Sequence, residues 1–135
     1  MQRLREGAKS SKVRLRGVMS SGAEAEDLAC RYLVSQGLTL LTRNFSTRRG
    51  EIDLIMQDRG VIVFVEVRFR RSNSFGSPAE SITARKCVRL KAAADAYLQR
   101  CKQPDLNARF DAVLLSPAVK NSSALTINWL VNILL

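Results

Sequence analysis

The stretch VIVFVEVR, from Val61 to Arg68, decides the fold of this chain. Its first five residues are all apolar, which predicts a central strand buried on both faces of a sheet. Successive side chains of a strand point to opposite faces, so Glu66 and Arg68 would share a face with Phe64, opposite the valines. A carboxylate and a guanidinium at the end of such a strand lose hydration energy unless something compensates for them. The strand therefore carries both part of a core and a candidate site.

The preceding stretch EIDLIMQ, residues 51–57, predicts a second strand that is joined to VIVFVEVR by a hairpin turn. With a loop at residues 58 and 59, Asp53 would lie opposite Phe64 and diagonal to Glu66, about 7–8 Å away at Cα. Two carboxylates on one face repel each other unless a proton or a cation lies between them, and their oxygens suit Mg²⁺. The alternative is a buried ion network between the two carboxylates and an arginine: Arg48, Arg68 or Arg109.

Helical and strand patterns flank this hairpin. Apolar residues recur at helical spacing over Ser21–Gln36 and Ser81–Arg100. Further strands are predicted at Leu38–Asn44, Arg109–Leu115 and Leu125–Leu134. The order α-β-β-β-α-β-β predicts an α/β fold, with a mixed central β-sheet of about five strands flanked by helices.

Residues 1–19 carry six basic residues against the single Glu6 and sustain no helical or strand period. They are therefore predicted to be a basic, disordered tail, and residues 20–135 a single domain. The tail either adds phosphate affinity or has no function. Because Met19 would suit a natural start, residues 1–18 could also be an upstream extension.

Composition narrows the chemistry. The 135 residues include 22 lysines and arginines against 12 acids, a net charge of +10. Such a basic domain usually meets a polyanion, most often nucleic acid, although a solvated basic surface is the alternative. There is no histidine, which excludes serine and cysteine triads that use a histidine base. A hydrolytic site would need carboxylates, lysine, arginine and a metal ion. The three cysteines form no C-x-x-C pair, which argues against a structural zinc site.

Targeting signals are absent from the sequence. No stretch reaches the roughly 18 consecutive apolar residues that span a bilayer. The basic N-terminus lacks the apolar region of a secretory signal. We therefore expect a cytoplasmic protein with no membrane partner.

The two predicted strands also resemble a known family. The run GEIDLI at residues 50–55, followed by VFVEVR at 63–68, is similar to the YraN family of small bacterial proteins. The likeness extends over about Gly22 to Leu115 and includes the motifs RNF at 43–45 and RFD at 109–111. That family is grouped with PD-(D/E)xK-fold nucleases, close to archaeal Holliday-junction resolvases. The resemblance thus implies a restriction-endonuclease-like fold and a role in DNA recombination or repair.

The resemblance implies roles for individual residues. Asp53 and Glu66 would hold Mg²⁺ or Mn²⁺, with the Val67 carbonyl as a further ligand. Glu24 would be the accessory acid from the first helix, although a charge in the first turn of a helix is the equally simple explanation.

One position departs from the family pattern, because the lysine of the ExK element is Arg68 here. Arginine cannot act as a general base, yet it can clamp a phosphate and stabilise developing charge. Lys86 in the second predicted helix could substitute for that lysine, or be an ordinary surface residue. Basic residues expected at the ends of these strands would bind the phosphate backbone: Arg43, Arg48, Arg49, Arg70 and Arg71, with Lys86.

Three functions follow. The first is a metal-dependent endonuclease acting on DNA, in particular branched or structured DNA, and a resolvase role would also require a homodimer. The second is a nucleic-acid-binding protein that keeps the fold without efficient chemistry, which Arg68 favours. The third is a protein adaptor that pairs through an exposed edge at Ile127–Val131, although the same run is more simply part of the core.

Overall fold

The computed structural model describes residues 8–14, 22–70, 83–102, 107–117 and 124–133. These residues form six strands and two helices in the order β-α-β-β-β-α-β-β. The elements are β1 (Ala8–Arg14), α1 (Gly22–Ser35), β2 (Thr39–Ser46), β3 (Glu51–Asp58), β4 (Val61–Phe69), α2 (Ala84–Arg100), β5 (Ala108–Pro117) and β6 (Ala124–Leu130).

The strands form one mixed sheet in the order β1-β6-β5-β4-β3-β2. Only the β4–β5 pair is parallel. Helix α2 lies between these strands in the sequence and returns the chain to the end of the sheet where β4 begins, so β5 runs in the same direction as β4. Alternation along β4 divides the core. Val63 and Val65 pack with α1 on one face, whereas Ile62 and Phe64 pack with α2 on the other. The predicted α/β fold, with helices on a mixed sheet, is confirmed.

The β3–β4 hairpin corrects the predicted register. Asp58 pairs with Val61, so the loop is Arg59-Gly60 rather than residues 58 and 59. Both loop residues have positive φ, 53° and 83°, as a type I′ turn requires. The placement of Asp53 opposite Phe64 is therefore wrong, because Phe64 pairs with Ile55. Extending the observed register by one step beyond the Leu54–Val65 pair sets Asp53 opposite Glu66.

The sixth strand was not predicted. Ala8–Arg14 pairs antiparallel with β6 along its whole length, within residues that the sequence analysis assigned to a tail. Backbone hydrogen bonding to an available edge needs no side-chain period, which explains why the pattern did not reveal this strand. Because β6 is paired with β1 on one side and β5 on the other, the run 127–131 offers no free edge. Ile127 and Trp129 are fully buried, which contradicts the adaptor hypothesis and confirms the assignment of this run to the core.

A closed ion network occupies the Asp58 end of β3. The Arg109 guanidinium donates to Asp58 at 2.9 Å and to both oxygens of Asp111 at 3.0 to 3.3 Å. The Trp129 indole N–H and the Asn132 backbone N–H also donate to Asp111, at 3.0 and 2.9 Å. The RFD motif at residues 109–111 therefore builds core structure, and Arg109 pairs with neither Asp53 nor Glu66 in the hydrogen bonds and ion pairs of the described residues.

Both helices are too short or too polar to cross a bilayer, as far as the described residues extend.

Candidate active site

The site begins where β3 and β4 separate. Their paired register ends at Leu54 and Val65, one residue before Asp53 and Glu66. The Val67 backbone N–H donates to Asp53 Oδ2 at 2.9 Å, so a side chain takes the place of a β3 carbonyl in the ladder. This bond fixes the orientation of the Asp53 carboxylate beside that of Glu66.

The separated strands open into a cleft beneath the first turns of α2. Its volume is about 240 Å³, and acidic, basic and apolar groups share its wall. The lining residues are Glu51, Asp53, Glu66, Val67, Arg68, Lys86, Arg89 and Leu90. The cleft thus brings together four of the catalytic and metal-binding residues predicted from sequence, Asp53, Glu66, Val67 and Arg68, and adds Lys86.

Glu66 is held between two cations. Its carboxylate accepts from Lys86 Nζ at 2.5 Å, and Arg68 Nε lies 3.8 Å from the same oxygen. Only 6% of Glu66 is exposed, although Lys86 and Arg68 each reach solvent. Part of the predicted ion network therefore exists, with Lys86 as the closest partner of Glu66.

The electrostatics of the two carboxylates differ from those of surface acids. Burial raises the pKa of Asp53, the hydrogen bond from the Val67 N–H lowers it, and the negative charge of Glu26 raises it. Burial also raises the pKa of Glu66, whereas the hydrogen bond from Lys86 lowers it and the charge of Asp53 raises it. Both pKa values end above their ordinary range, which is typical of a functional carboxyl pair.

The donor set fits a hard divalent cation. Two carboxylates in one open cleft supply the oxygen ligands that Mg²⁺ and Mn²⁺ prefer. No group of three or more aspartate, glutamate, histidine or cysteine side chains suited to a metal is found in the described residues, so backbone oxygens or water would complete the coordination. Magnesium characteristically retains several waters and takes only one or two carboxylates from the protein.

Helix α1 presents two glutamates near this end of the sheet. Glu24 lies exposed in the first turn of the helix. Glu26, two residues later, is half-buried, and its charge acts on Asp53. The charge of Glu26 thus links α1 to the cleft, and sequence reasoning did not single out this residue. The accessory role of Glu24 stays a prediction.

The predicted phosphate-binding residues lie in different surroundings. Arg43 pairs with Asp27 of α1 at 2.7 Å. Arg48 and Arg49 are exposed in the β2–β3 turn, and Arg70 is half-buried after β4, where its backbone N–H donates to Leu115. Arg71 lies outside the described residues. Sequence reasoning also missed Arg89, although its position one helical turn after Lys86 places both on one flank of α2.

Comparison with known proteins identifies relatives over most of the chain. A model described as "Uncharacterised protein family UPF0102" matches residues 25–115. A UPF0102 protein of Nitrosococcus oceani is 53% identical over 93 residues, which cover 68% of this chain and 75% of the relative. A UPF0102 protein of Nitrosomonas europaea is 46% identical over 113 residues, covering 84% of this chain and 92% of the relative.

Proposed function

We propose that this chain, which belongs to the UPF0102 family, the YraN family that its motifs resemble, is a metal-dependent endonuclease acting on DNA. One observation carries the proposal. Asp53 and Glu66, both with raised pKa values, face one open cleft in a protein of net charge +10. An acidic pair surrounded by basic groups suits a phosphodiester substrate, which needs both a cation site and cationic contacts.

The carboxylates of Asp53 and Glu66 would hold Mg²⁺ or Mn²⁺. When bound, such an ion offsets negative charge on the phosphate and makes water a better nucleophile at neutral pH. The Val67 N–H keeps the Asp53 carboxylate in one orientation, which reduces the reorganisation needed for binding. Asp53 and Glu66 would thus form a pre-organised oxygen site where two central strands of the sheet separate.

We assign to Lys86 the role of the lysine that the ExK element of this chain lacks. Its amine contacts the Glu66 carboxylate more closely than Arg68 does, although it comes from α2 rather than β4. From that position, the amine can orient water or a phosphate oxygen beside the carboxylate pair. Arg68, also in the cleft, can clamp the phosphate through its guanidinium.

A cleavage assay tests the proposal. Wild type, Glu66→Gln and Lys86→Ala would be incubated with linear duplex, single-stranded and four-way-junction DNA, in Mg²⁺, Mn²⁺ or EDTA. We expect metal-dependent cleavage by wild type that falls about 10²-fold or more in both variants, as when a key electrostatic group is removed. Calorimetric titration of Mn²⁺ should show binding to wild type that Glu66→Gln weakens.

Two further variants act as controls. Asp95→Asn removes an exposed carboxylate from α2 outside the cleft and should cleave as wild type does. Arg68→Lys restores the usual motif residue and should retain activity. Absence of cleavage on every substrate, together with no Mn²⁺ binding, would contradict the nuclease.

A nucleic-acid-binding protein without efficient chemistry is the second candidate. The ion pair of Glu66 with Lys86, and the arginine at position 68, favour it because both partly neutralise the carboxylate that a metal would use. This candidate predicts salt-dependent DNA binding that survives Glu66→Gln and Asp53→Asn, without cleavage.

We further propose that the endonuclease acts on branched DNA. Two strands must then be cut at one junction, so a homodimer would have to present two clefts. The junction arm of the cleavage assay, with the molecular mass of the protein measured in solution, tests both points. We expect such activity in the cytoplasm, where bacterial DNA is located.

A further inference from the structure

Arginines of the described residues differ in whether they pair within the protein. Several have partners within the protein: Arg43 with Asp27, Arg68 with Glu66, Arg109 with Asp58 and Asp111, and Arg100 over the Phe45 ring. Four others have no ion pair with any described residue: Arg48 and Arg49 in the β2–β3 turn, Arg89 in the wall of the cleft, and Arg85 one helical turn before Arg89. We call these four the arginine ridge.

The turn that carries Arg48 and Arg49 is pre-organised. Thr47 Oγ1 accepts from the backbone N–H groups of Arg49 and Gly50, at 3.1 and 3.2 Å. The Thr47 N–H in turn donates to the Gly50 carbonyl at 2.8 Å. A turn fixed in this way presents two exposed guanidinium groups without a large loss of backbone entropy on binding.

Close packing joins this turn to α2. Gly50 lies so near to Arg89 that a Cβ at position 50 would overlap the Arg89 carbonyl. The Arg89 side chain lines the cleft, and Arg85 lies one helical turn earlier on the same flank, with Cβ atoms about 5–6 Å apart. Close packing thus places the turn that carries Arg48 and Arg49 against the helix that carries Arg85 and Arg89, and Arg89 reaches the cleft of the carboxylate pair.

The ridge is electrostatically unfavourable in the protein alone. Like charges one helical turn apart destabilise a helix, as Arg85 and Arg89 would here. The first turn of α2 contains Arg85 and Lys86 and no acid, where the helix dipole favours negative charge. An anion with regularly spaced charges would relieve both effects.

We propose that the arginine ridge binds the sugar-phosphate backbone of a nucleic-acid strand. It would guide that strand from the cleft over the β2–β3 turn. The proposal rests on the proposed function for its ligand class, and it adds the path of the strand and two residues, Arg85 and Arg89. Guanidinium groups bind phosphates in a bidentate manner, so the contacts would be independent of base sequence.

Binding without catalysis tests the ridge. Fluorescence anisotropy in EDTA would follow labelled duplex and junction DNA with wild type, Arg85→Ala/Arg89→Ala and Arg48→Ala/Arg49→Ala. The control, Arg31→Ala/Lys91→Ala, removes two exposed charges: one on α1 and one elsewhere on α2. Circular dichroism would verify that every variant is folded.

Each phosphate contact adds about 0.9 to the slope of log K against log salt. We therefore expect each ridge variant to bind more weakly and to lower this slope by about 2, for the loss of two contacts. The control should keep a slope within about 0.5 of wild type. Equal weakening by ridge and control variants, or no DNA binding by wild type, would overturn the ridge.

The binding and cleavage experiments together distinguish failure of the ridge proposal from failure of the nuclease proposal. Ridge-dependent binding by a protein that neither cleaves any of the DNA substrates nor binds Mn²⁺ would reject the nuclease and retain the ridge. Metal-dependent cleavage with unchanged affinity in both ridge variants would retain the nuclease and reject the ridge.

Discussion

Two carboxylate clusters lie on opposite faces of the central sheet. On the α1 face, Asp58 and Asp111 surround the Arg109 guanidinium, and their described contacts are internal to the protein. On the α2 face, Asp53 and Glu66 face an open cleft with Lys86. Each cluster has two acids and a close cation, but Asp58, Asp111 and Arg109 are at most 5% exposed, whereas 32% of the Lys86 side chain reaches solvent.

The two clusters differ in how far the protein itself compensates their charges. Burial would lower the pKa of Arg109, but the hydrogen bonds and charges of Asp111 and Asp58 raise it above its ordinary value. Both acids of that network therefore have their cation inside the core. The pKa values of Asp53 and Glu66 are instead raised, because burial and a nearby negative charge, that of Glu26 at Asp53 and that of Asp53 at Glu66, exceed the compensation from hydrogen bonds. The charges of Asp53 and Glu66 are only partly compensated by the protein, and they lie within reach of solvent. A bound cation can therefore complete the compensation.

The largest effect on stability should come from breaking the buried cluster of Asp58, Asp111 and Arg109. Arg109→Ala leaves two carboxylates buried without their cation, so we expect the free energy of unfolding to fall by about 3–5 kcal/mol. Urea denaturation followed by circular dichroism measures this. Arg31→Ala, which removes an exposed arginine of α1, should stay within about 0.5 kcal/mol of wild type. A loss below about 1 kcal/mol in Arg109→Ala would show that the network is not structural.

The next largest effect should come from the packing of α2 against the β2–β3 turn, since α2 carries Lys86 to the carboxylates of Asp53 and Glu66. Gly50→Ala forces a Cβ onto the Arg89 carbonyl, so α2 must shift away from the β2–β3 turn. We expect a loss of about 1–3 kcal/mol in stability and weaker DNA binding, because Lys86 and Arg89 move with the helix. The matched variant is Gly22→Ala, whose Cβ would meet nothing within 4 Å. Equal stability of the two variants would contradict the close approach.

The smallest effect on stability should come from the protonation of Asp53 in the cleft. Because the pKa of Asp53 is raised in the folded state, the folded protein binds a proton at a higher pH than the unfolded chain does. The ionised form is therefore unfavourable near neutral pH, and this penalty is relieved as pH falls through the raised pKa toward the ordinary value of 3.8.

In EDTA, the stability of wild type relative to Asp53→Asn should accordingly rise as the pH is lowered, since asparagine does not titrate. Denaturation curves at several pH values measure this difference. A difference that is constant across that pH range would show that Asp53 titrates alike in both states, contrary to its burial.

The sequence predicted the fold class and the two central acids because both depend on local pattern. An apolar run interrupted by Glu66 predicts a buried strand with a polar end, whatever surrounds it. Register was missed because the loop could be placed at residues 58 and 59 or at 59 and 60, and a pattern does not choose between them. The Asp58–Arg109 contact, which holds Asp58 in the strand, joins residues 51 positions apart.

Taken alone, the sequence predicts a basic α/β domain with Asp53 and Glu66 on one face of its hairpin. The contact of Lys86 with Glu66, the place of Arg109 in the core and the effect of the Glu26 charge on Asp53 come from the tertiary structure. Residue identity and alternation are encoded locally, whereas the partner of a charge depends on helix packing and strand register. The same carboxylate is a core residue or a candidate ligand according to whether that packing closes around it.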